Sequence, residues 1–360
     1  MPYYRENLEE IVENYRLLHD RDSKGALIQI LDIAEVQDRV AVPEVKPLNQ
    51  WNFDTQLKEF LDACLLQQET IWSNRMDVAD DLIPSMYPRF GIAEHSAYLG
   101  GEVQVEKTTS YHIPIVRSWK DVDRLHTDPH NKWFRYVMDG IAYIQEKGQG
   151  KIAARLRGGC SPTDLANFVR GNDLFTDFYD EPEEVHRLLE KCTEMEGWFM
   201  KQQVDLYNGF CGGIIDGNGV WAPEGSFGHL SEDWSYMCSP SMYEIFGKPY
   251  TKKLIEPYQN ALMHLHGGGA HVIPGVASID KITYIQIVQD PSQPAPVDIY
   301  KKYEKELADK VIILAATGQE IEDNLDFLEG KRVIFQTQAS TFEEAKRLVD
   351  LVHQSLPVKK

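Results

Sequence analysis

The sequence predicts an α/β chain folded as a (β/α)8 TIM-type barrel, on three observations. Eight short apolar or β-rich runs recur along the 360 residues, several stretches between them carry helical periodicity, and those stretches open with helix-start signals. An open doubly wound sheet is the competing arrangement of the same alternation. A hydrophobic content of 42% supports a sizeable core. No repeat, low-complexity tract or Gly/Ser linker divides the chain, so residues 1–360 are expected to form a single domain.

In chain order, residues 1–24 form an N-terminal helical extension ahead of the first strand, Ala26 to Leu31. Asp54 to Trp72 is periodic and helical, and Val78 to Ile83 supplies the second strand. Residues 86–130, broken by Pro88, Pro114 and Pro129, are expected to make an irregular, β-rich excursion over the barrel mouth, a loose surface loop being the alternative. Ile152 to Leu156 and Gly213 to Ile215 are the third and fourth strands. Between them Asp180 precedes Glu181-Pro182-Glu183 as an N-cap, with proline in the first turn of a helix that runs to about Tyr207. Trp221 to Pro240 is loop-like, rich in Gly, Ser and aromatics, and a helical pattern follows from Pro240. The remaining strands are Leu262 to His266, Tyr284 to Val288, Val311 to Leu314 and Val333 to Gln336. Ser340-Thr-Phe-Glu343 spells a capping box before the last helix, Ala345 to Val352.

The formal charge of −19 argues against nucleic acid as a partner, because such a surface repels phosphate backbones. There is no membrane-length apolar run and no secretion-signal pattern. The five cysteines are scattered and never form C-x-x-C, which suits free thiols in a reducing compartment and gives a cytoplasmic expectation. Neither a G-x-S-x-G elbow nor a phosphate-binding P-loop is present, and Gly267-Gly-Gly269 lacks dinucleotide-loop spacing.

The most informative pair is His264 and His266. Alternate residues of a strand share a face, so the two imidazoles project together while Met263 and Leu265 point the other way. Paired neutral imidazoles suit zinc or a related divalent ion, and the glycines that follow leave backbone open to a substrate. Two partly exposed histidines bonded to neighbours are the alternative reading. Catalytic groups of a barrel stand at the C-terminal ends of strands and just beyond them. Asp32, Asp80, Asp81, Arg157, Asp216, Asn218, Gln336 and Gln338 join the candidates on that ground, each also readable as a cap or salt-bridge residue.

Two stretches carry a family resemblance, Arg157-Gly-Gly-Cys-Ser-Pro-Thr-Asp-Leu-Ala-Asn-Phe-Val-Arg-Gly171 and Phe175 to Leu189. Ser231-Glu-Asp-Trp-Ser235, Ser239 to Phe246, Pro249-Tyr250 and Met263-His-Leu-His-Gly267 extend it. Together they resemble the uroporphyrinogen decarboxylase superfamily over roughly residues 150 to 355, more diffusely before, which implies a distorted (β/α)8 barrel. The decarboxylase branch recognises a many-carboxylate porphyrinogen through N-terminal arginines. Here Gly25 to Ile33 holds no arginine, and Phe168 replaces an active-site tyrosine.

The other branch comprises corrinoid-dependent methyltransferases with zinc on H-x-C and a later cysteine. His264 matches the histidine, His266 replaces the cysteine, and no cysteine follows Cys238. Imidazole in place of thiolate makes the site harder and favours an oxygen ligand over a thiol. For a third metal ligand the sequence offers Glu232, Asp233, Asp216 and, less attractively, Cys238; the adjacent pair Glu232-Asp233 is preferred, with Glu232 as the expected ligand, although Asp233 also reads as a turn cap. Asp233, Asp216 and Arg157 are the candidate catalytic residues, Arg157 either holding a substrate anion or pairing with Asp164 or another barrel carboxylate. Trp234, Phe168 and Gln336 are the candidate substrate contacts, with Trp221, Phe227 and Tyr236 as further aromatics for the pocket.

The expected function is metal-dependent, with zinc as the expected divalent ion, and corrinoid-linked: methyl transfer on a small oxygen- or nitrogen-containing molecule, with the corrinoid on a partner protein. A decarboxylase or other lyase acting on a small hydroxylated acid is the alternative, and a non-catalytic ligand-binding barrel the third. The chain is expected to be a monomer or homodimer.

Overall fold

A computed structural model describes residues 2–360. Its centre is a parallel sheet of seven strands, which we label within the full set of thirteen in chain order. These are β1 (Gly25–Ile33), β2 (Ser85–Met86), β3 (Val103–Val105), β4 (Ser110–His112), β5 (Ala153–Ala154), β6 (Gly159–Cys160) and β7 (Gly213–Ile215). They continue as β8 (Trp221–Pro223), β9 (Ser226–Ser231), β10 (Asn260–His266), β11 (Ile282–Val288), β12 (Val311–Ala315) and β13 (Arg332–Ala339). The main sheet runs β1-β13-β12-β11-β10-β9-β6.

Shorter pairings draw the remaining arc. Asp81 N–H donates to Ile28 O at 2.7 Å, β2 pairs with β5 in parallel, and Leu156 N–H donates to Ile215 O at 3.0 Å. Because β5 and β6 lie on one continuous segment, that segment joins β2 on one side to β9 on the other. The architecture is the α/β, (β/α)8 arrangement that the alternation of runs predicts.

Two strand expectations change. The second strand forms at Ser85–Met86 rather than at 78–83, just before the proline at position 88. Gly213–Ile215 is a strand, but it pairs antiparallel with β8 in a hairpin, and Ser226–Ser231 takes the place beside β10. The Gly/Ser-rich spelling of Ser-Phe-Gly-His-Leu-Ser conceals a strand that is buried throughout. Its parallel neighbours on both sides satisfy the backbone, so propensity is overridden by context.

Period-two alternation sorts the side chains into two cores. Met263, Leu265, Ile285 and Phe335 point outward to the helices, whereas Leu27, Leu262, Tyr284, Ile313 and Ile334 pack inside the ring. Helix 8–19 closes the ring from below: Leu8, Ile11, Val12, Tyr15 and Leu18, spaced for one helical face, join the inner cluster. One step further along each strand the inward positions turn polar, at Gln29, His264, Gln286 and Gln336. That change of chemistry marks the functional end.

Asp80 and Asp81 do not belong to that end. Asp80 pairs with Arg5 and Arg75, and Asp81 accepts from Ile28 N–H at 2.8 Å and faces His353 at 2.9 Å. Both brace the early part of β1 against the N-terminal segment and the last helix, while Asp32 is exposed. The excursion at 86–130 is partly core rather than loose. Glu94, His95, Ser96 and Tyr98 are buried, and its β3–β4 hairpin brings Lys107 and Thr108 to the cleft described below. Among the described residues no helix is long and apolar enough to cross a membrane, and all five cysteines are unpaired.

Candidate metal centre

β10 presents His264 and His266 on its inner face, with their rings 5.0 Å apart and nearly perpendicular. β9 runs beside it, and the turn after β9 brings Asp233 alongside. Asp233 Oδ1 lies 3.8 Å from His264 Nε2 and 3.6 Å from His266 Nε2. One donor atom from each residue lies within 4.8 Å of the others, the only such grouping of three among the described residues. Two imidazole nitrogens and one carboxylate oxygen form a set suited to zinc or a similar divalent ion, with positions left for water or substrate.

The far side of each imidazole is held so that the inward nitrogen keeps its lone pair. Gln29 Nε2 donates to Gly219 O at 2.9 Å, and Gln336 Nε2 donates to Asn218 O at 3.2 Å; these carbonyls can only accept. The orientation of both amides is therefore fixed. Gln336 Nε2 also donates to Gln29 Oε1 at 2.8 Å, Gln286 Nε2 donates to Gln336 Oε1, and Gln286 Oε1 is left facing His264 Nδ1 at 2.6 Å. His264 must then carry its proton on Nδ1, leaving Nε2 free to ligate. Burial first of all pushes His264 below its ordinary pKa, which keeps the ring neutral near pH 7.

His266 Nδ1 meets Asp290 Oδ1 at 2.7 Å, and Gly268 N–H donates to Asp290 Oδ2 at 2.9 Å. Burial alone would raise Asp290, yet these two partners hold it below the usual carboxylate range. A carboxylate behind a histidine orients the ring and raises its basicity as a ligand. Asp290→Ala and Gln286→Leu are each expected to weaken zinc affinity roughly 10- to 100-fold, read by competition with a chromogenic chelator. Unchanged affinity in both would show that these contacts do not support the imidazoles.

The adjacent acidic pair divides its roles differently from the sequence expectation. Glu232 is fully buried and turned away from the histidines, accepting from Ser161 Oγ at 3.1 Å and from Thr163 Oγ1. Burial, then the charge of Asp164, pushes its carboxyl up to about 8. Asp233 is the member that joins the cluster, half-exposed and with its pKa raised by burial. Asp164 fixes the turn, accepting from Ser231 Oγ at 2.9 Å, Asp233 N–H at 2.9 Å and Trp234 N–H at 2.6 Å.

The triple glycine serves packing. A Cβ on Gly268 would lie 1.8 Å from the Tyr236 ring, and one on Gly269 would lie 2.2 Å from Ser235 Oγ. These glycines let the turn carrying Asp233 lie flat on the turn after β10, which brings the carboxylate to the imidazoles.

Other expected site residues are placed elsewhere. Arg157 pairs with Glu94, not Asp164, and its Nη2 faces His95 Nε2, so both ends of the guanidinium are engaged. Asp216 organises the β7–β8 turn: Oδ1 accepts from Asn218 N–H at 2.9 Å and Val220 N–H at 3.0 Å, and burial lifts its pKa to about 6. That turn supplies Gly219 O and Asn218 O to the amide chain, and Asn218 Nδ2 to Gln286 Oε1 at 3.0 Å. Asp216 thus positions residues that touch the site. Trp234 is buried against Phe178, with ring centroids 4.7 Å apart, and Phe168 packs on the helical core. Gln336 does reach the site.

Asp290, Gln286 and Gln29 escaped the sequence reading. Asp290 lies two residues beyond β11, where the strand-end rule applied to the other candidates would have found it. His229 was also missed. It sits on β9 with its ring 5.6 Å from His264, and neither ring nitrogen has a hydrogen-bond partner among the described residues.

Of the three metal-centre residues, His264 lines a cleft of about 1100 Å³, together with Gln286, Gln336, Asn218, Tyr87 and Arg155, among others. That volume accommodates a small-molecule substrate. A family model described as uroporphyrinogen decarboxylase (URO-D) matches residues 88–314, well over half of the chain, and reaches upstream of the stretch whose motifs carry the resemblance. No curated protein matches.

Proposed function

The chain belongs to the uroporphyrinogen decarboxylase superfamily, and from that premise we propose that it is a metal-dependent methyltransferase. In this reading it moves a methyl group between a small oxygen- or nitrogen-containing molecule and a corrinoid carried by a partner protein. Decarboxylase-like or methyltransferase-like catalysis is what membership supports.

The observation that carries the finer reading is the convergence of His264 Nε2, His266 Nε2 and Asp233 Oδ1 beside an open cleft. These three residues would hold the divalent ion, which supplies Lewis acidity at the heteroatom that gains negative charge as the methyl group leaves. The amide chain keeps His264 in its ligating tautomer, and Asp290 orients His266. Asn218 and Gln336 bring polar groups to the cleft wall, where they can hydrogen-bond a substrate. With no thiolate in the set, an oxygen- or nitrogen-bearing substrate fits better than a soft thiol.

Porphyrinogen decarboxylation is disfavoured because the N-terminal arginines by which that branch recognises its substrate have no counterpart on β1, whose residue at the cleft is Leu31. A carbon–carbon lyase acting on a small hydroxylated acid is the second reading, favoured by Lys46, Arg89, Lys107 and Arg155 on the cleft lining. The test is anaerobic: metal-loaded protein, cob(I)alamin or a cognate corrinoid protein, and a panel of methoxylated and methylamine compounds. Methylated corrinoid should appear in the visible spectrum with at least one donor, and its absence with all of them would select the lyase. Uroporphyrinogen should give no coproporphyrinogen.

A further inference from the structure

The protein carries a formal charge of −19, yet Lys46, Arg89, Lys107 and Arg155 line the cleft against one carboxylate, Glu44. These cations come from segments following β1, β2 and β5, including the β3–β4 hairpin. The metal-centre histidines come from β10. The cleft is therefore bipolar, with cations on one arc of the ring and His264 on another.

We propose that the cleft selects a small molecule bearing a carboxylate, held by Arg155 and Arg89, with the reacting end of that molecule at His264. The inference rests on reading this cleft as the substrate site. Arg155 is the fixed member. Its Nε donates to Ser85 Oγ at 2.8 Å and its Nη1 to Gly217 O at 3.4 Å, while Gly219 lies so close that an added Cβ would be 2.9 Å from Cζ. Nη2 makes no hydrogen bond with any described residue.

The other buried or part-buried arginines differ in having a carboxylate or several backbone carbonyls as partners. Arg5 and Arg75 share Asp80, Arg157 has Glu94 and Arg170 has Asp177. Arg332 lacks a carboxylate, but it donates to the carbonyls of Leu18, His19, Asp20 and Asp309. Arg155 alone among these six leaves an end free at a cavity wall. Burial pushes its guanidinium below the ordinary pKa, the electrostatic cost that an anionic partner relieves. Arg89 is exposed at the same wall and has no carboxylate partner among the described residues, so a second charge-assisted contact is available. A net charge of −19 disfavours general attraction of anions, so the concentration of cations at this wall is a local feature of the cleft.

The test uses chelator-treated, metal-free protein, so that a carboxylate cannot bind through the metal. Methoxyacetate and 3-methoxybenzoate are titrated calorimetrically against their neutral amides and against inorganic phosphate. At least one acid is expected to bind roughly tenfold or more tightly than its amide and more tightly than phosphate, and Arg155→Gln should remove that preference. Arg89→Gln, at an exposed position that leaves the fold alone, should reduce it severalfold and keeps the test decisive if Arg155→Gln is poorly folded. Equal binding of acid and amide, no binding of either acid, tighter binding of phosphate, or full preference in both variants would overturn the proposal. Zinc content is measured on separate, metal-loaded samples. Acid selectivity in a chain that takes up no zinc would therefore sink the metal reading and leave this inference standing.

Discussion

The His264→Ala/His266→Ala double variant is expected to lose bound zinc and turnover together while remaining folded. Wild-type protein should hold one divalent ion per chain. Removing two of three donors leaves Asp233 alone, and a single half-exposed carboxylate does not retain a divalent ion against a chelator. Neither histidine is deep in the core: their side chains are 18% and 36% exposed. Gln286 Oε1 keeps Asn218 Nδ2 after His264 is gone, and Asp290 keeps Gly268 N–H after His266 is gone. The cost in stability is then about 1–2 kcal/mol, that of two part-buried hydrogen bonds. Elemental analysis and a thermal melt on the same sample read both quantities. Metal content equal to wild type in the double variant would remove these histidines from the site.

Asp233→Asn separates the two members of the acidic pair. It should lose most of the zinc affinity, because a neutral amide oxygen replaces the only anionic donor of the set. Glu232→Gln should retain it, since Glu232 hydrogen-bonds to Ser161 and Thr163 instead.

The legible and illegible parts of this chain have different physical origins. His264 and His266 could be paired from sequence because strand geometry is local: two residues apart means one face, whatever the fold. The barrel was legible for a similar reason, since β10 to β13 each contain a short apolar run and parallel buried strands are spelled that way. Ser226–Ser231 was not, because its two serines, glycine and histidine form a strand only by pairing with β6 and β10, which are remote in sequence.

Choosing between Glu232 and Asp233 needed tertiary information as well. Adjacent residues diverge, and which one meets the histidines is set by Ser161, Thr163 and Asp164 on a different segment. Arg157 and Arg155 show the same limit. Both lie on one strand segment with equal claims to an anion, and only the position of Glu94, brought in by the excursion, decides which guanidinium is already neutralised.

Asp80→Ala is expected to be the most destabilising single change considered, at about 3–5 kcal/mol in urea titrations. Asp80 has no exposed side-chain surface and stands between Arg5 and Arg75, whose side chains are 1% and 2% exposed. Removing the carboxylate leaves two like charges buried together, and it also strips the acceptor from Ile30 N–H in β1, now at 2.9 Å. Arg5 retains the carbonyls of Val78 and Leu82, and both guanidiniums retain the Trp72 ring, with centroid distances of 4.9 and 4.5 Å. These contacts satisfy donors without neutralising charge, so most of the penalty remains. Because the cluster is shut off from solvent, added salt should recover little of the loss, unlike a surface pair. Asp80→Asn, which keeps an acceptor but not the charge, should fall between wild type and Asp80→Ala. The zinc stoichiometry of the folded fraction should stay at one in both variants, since the triad lies away from the metal centre. A loss below about 1 kcal/mol for Asp80→Ala would mean that water or a rearranged carbonyl compensates the arginines, and the triad would then not be what fastens the N-terminal segment to the barrel.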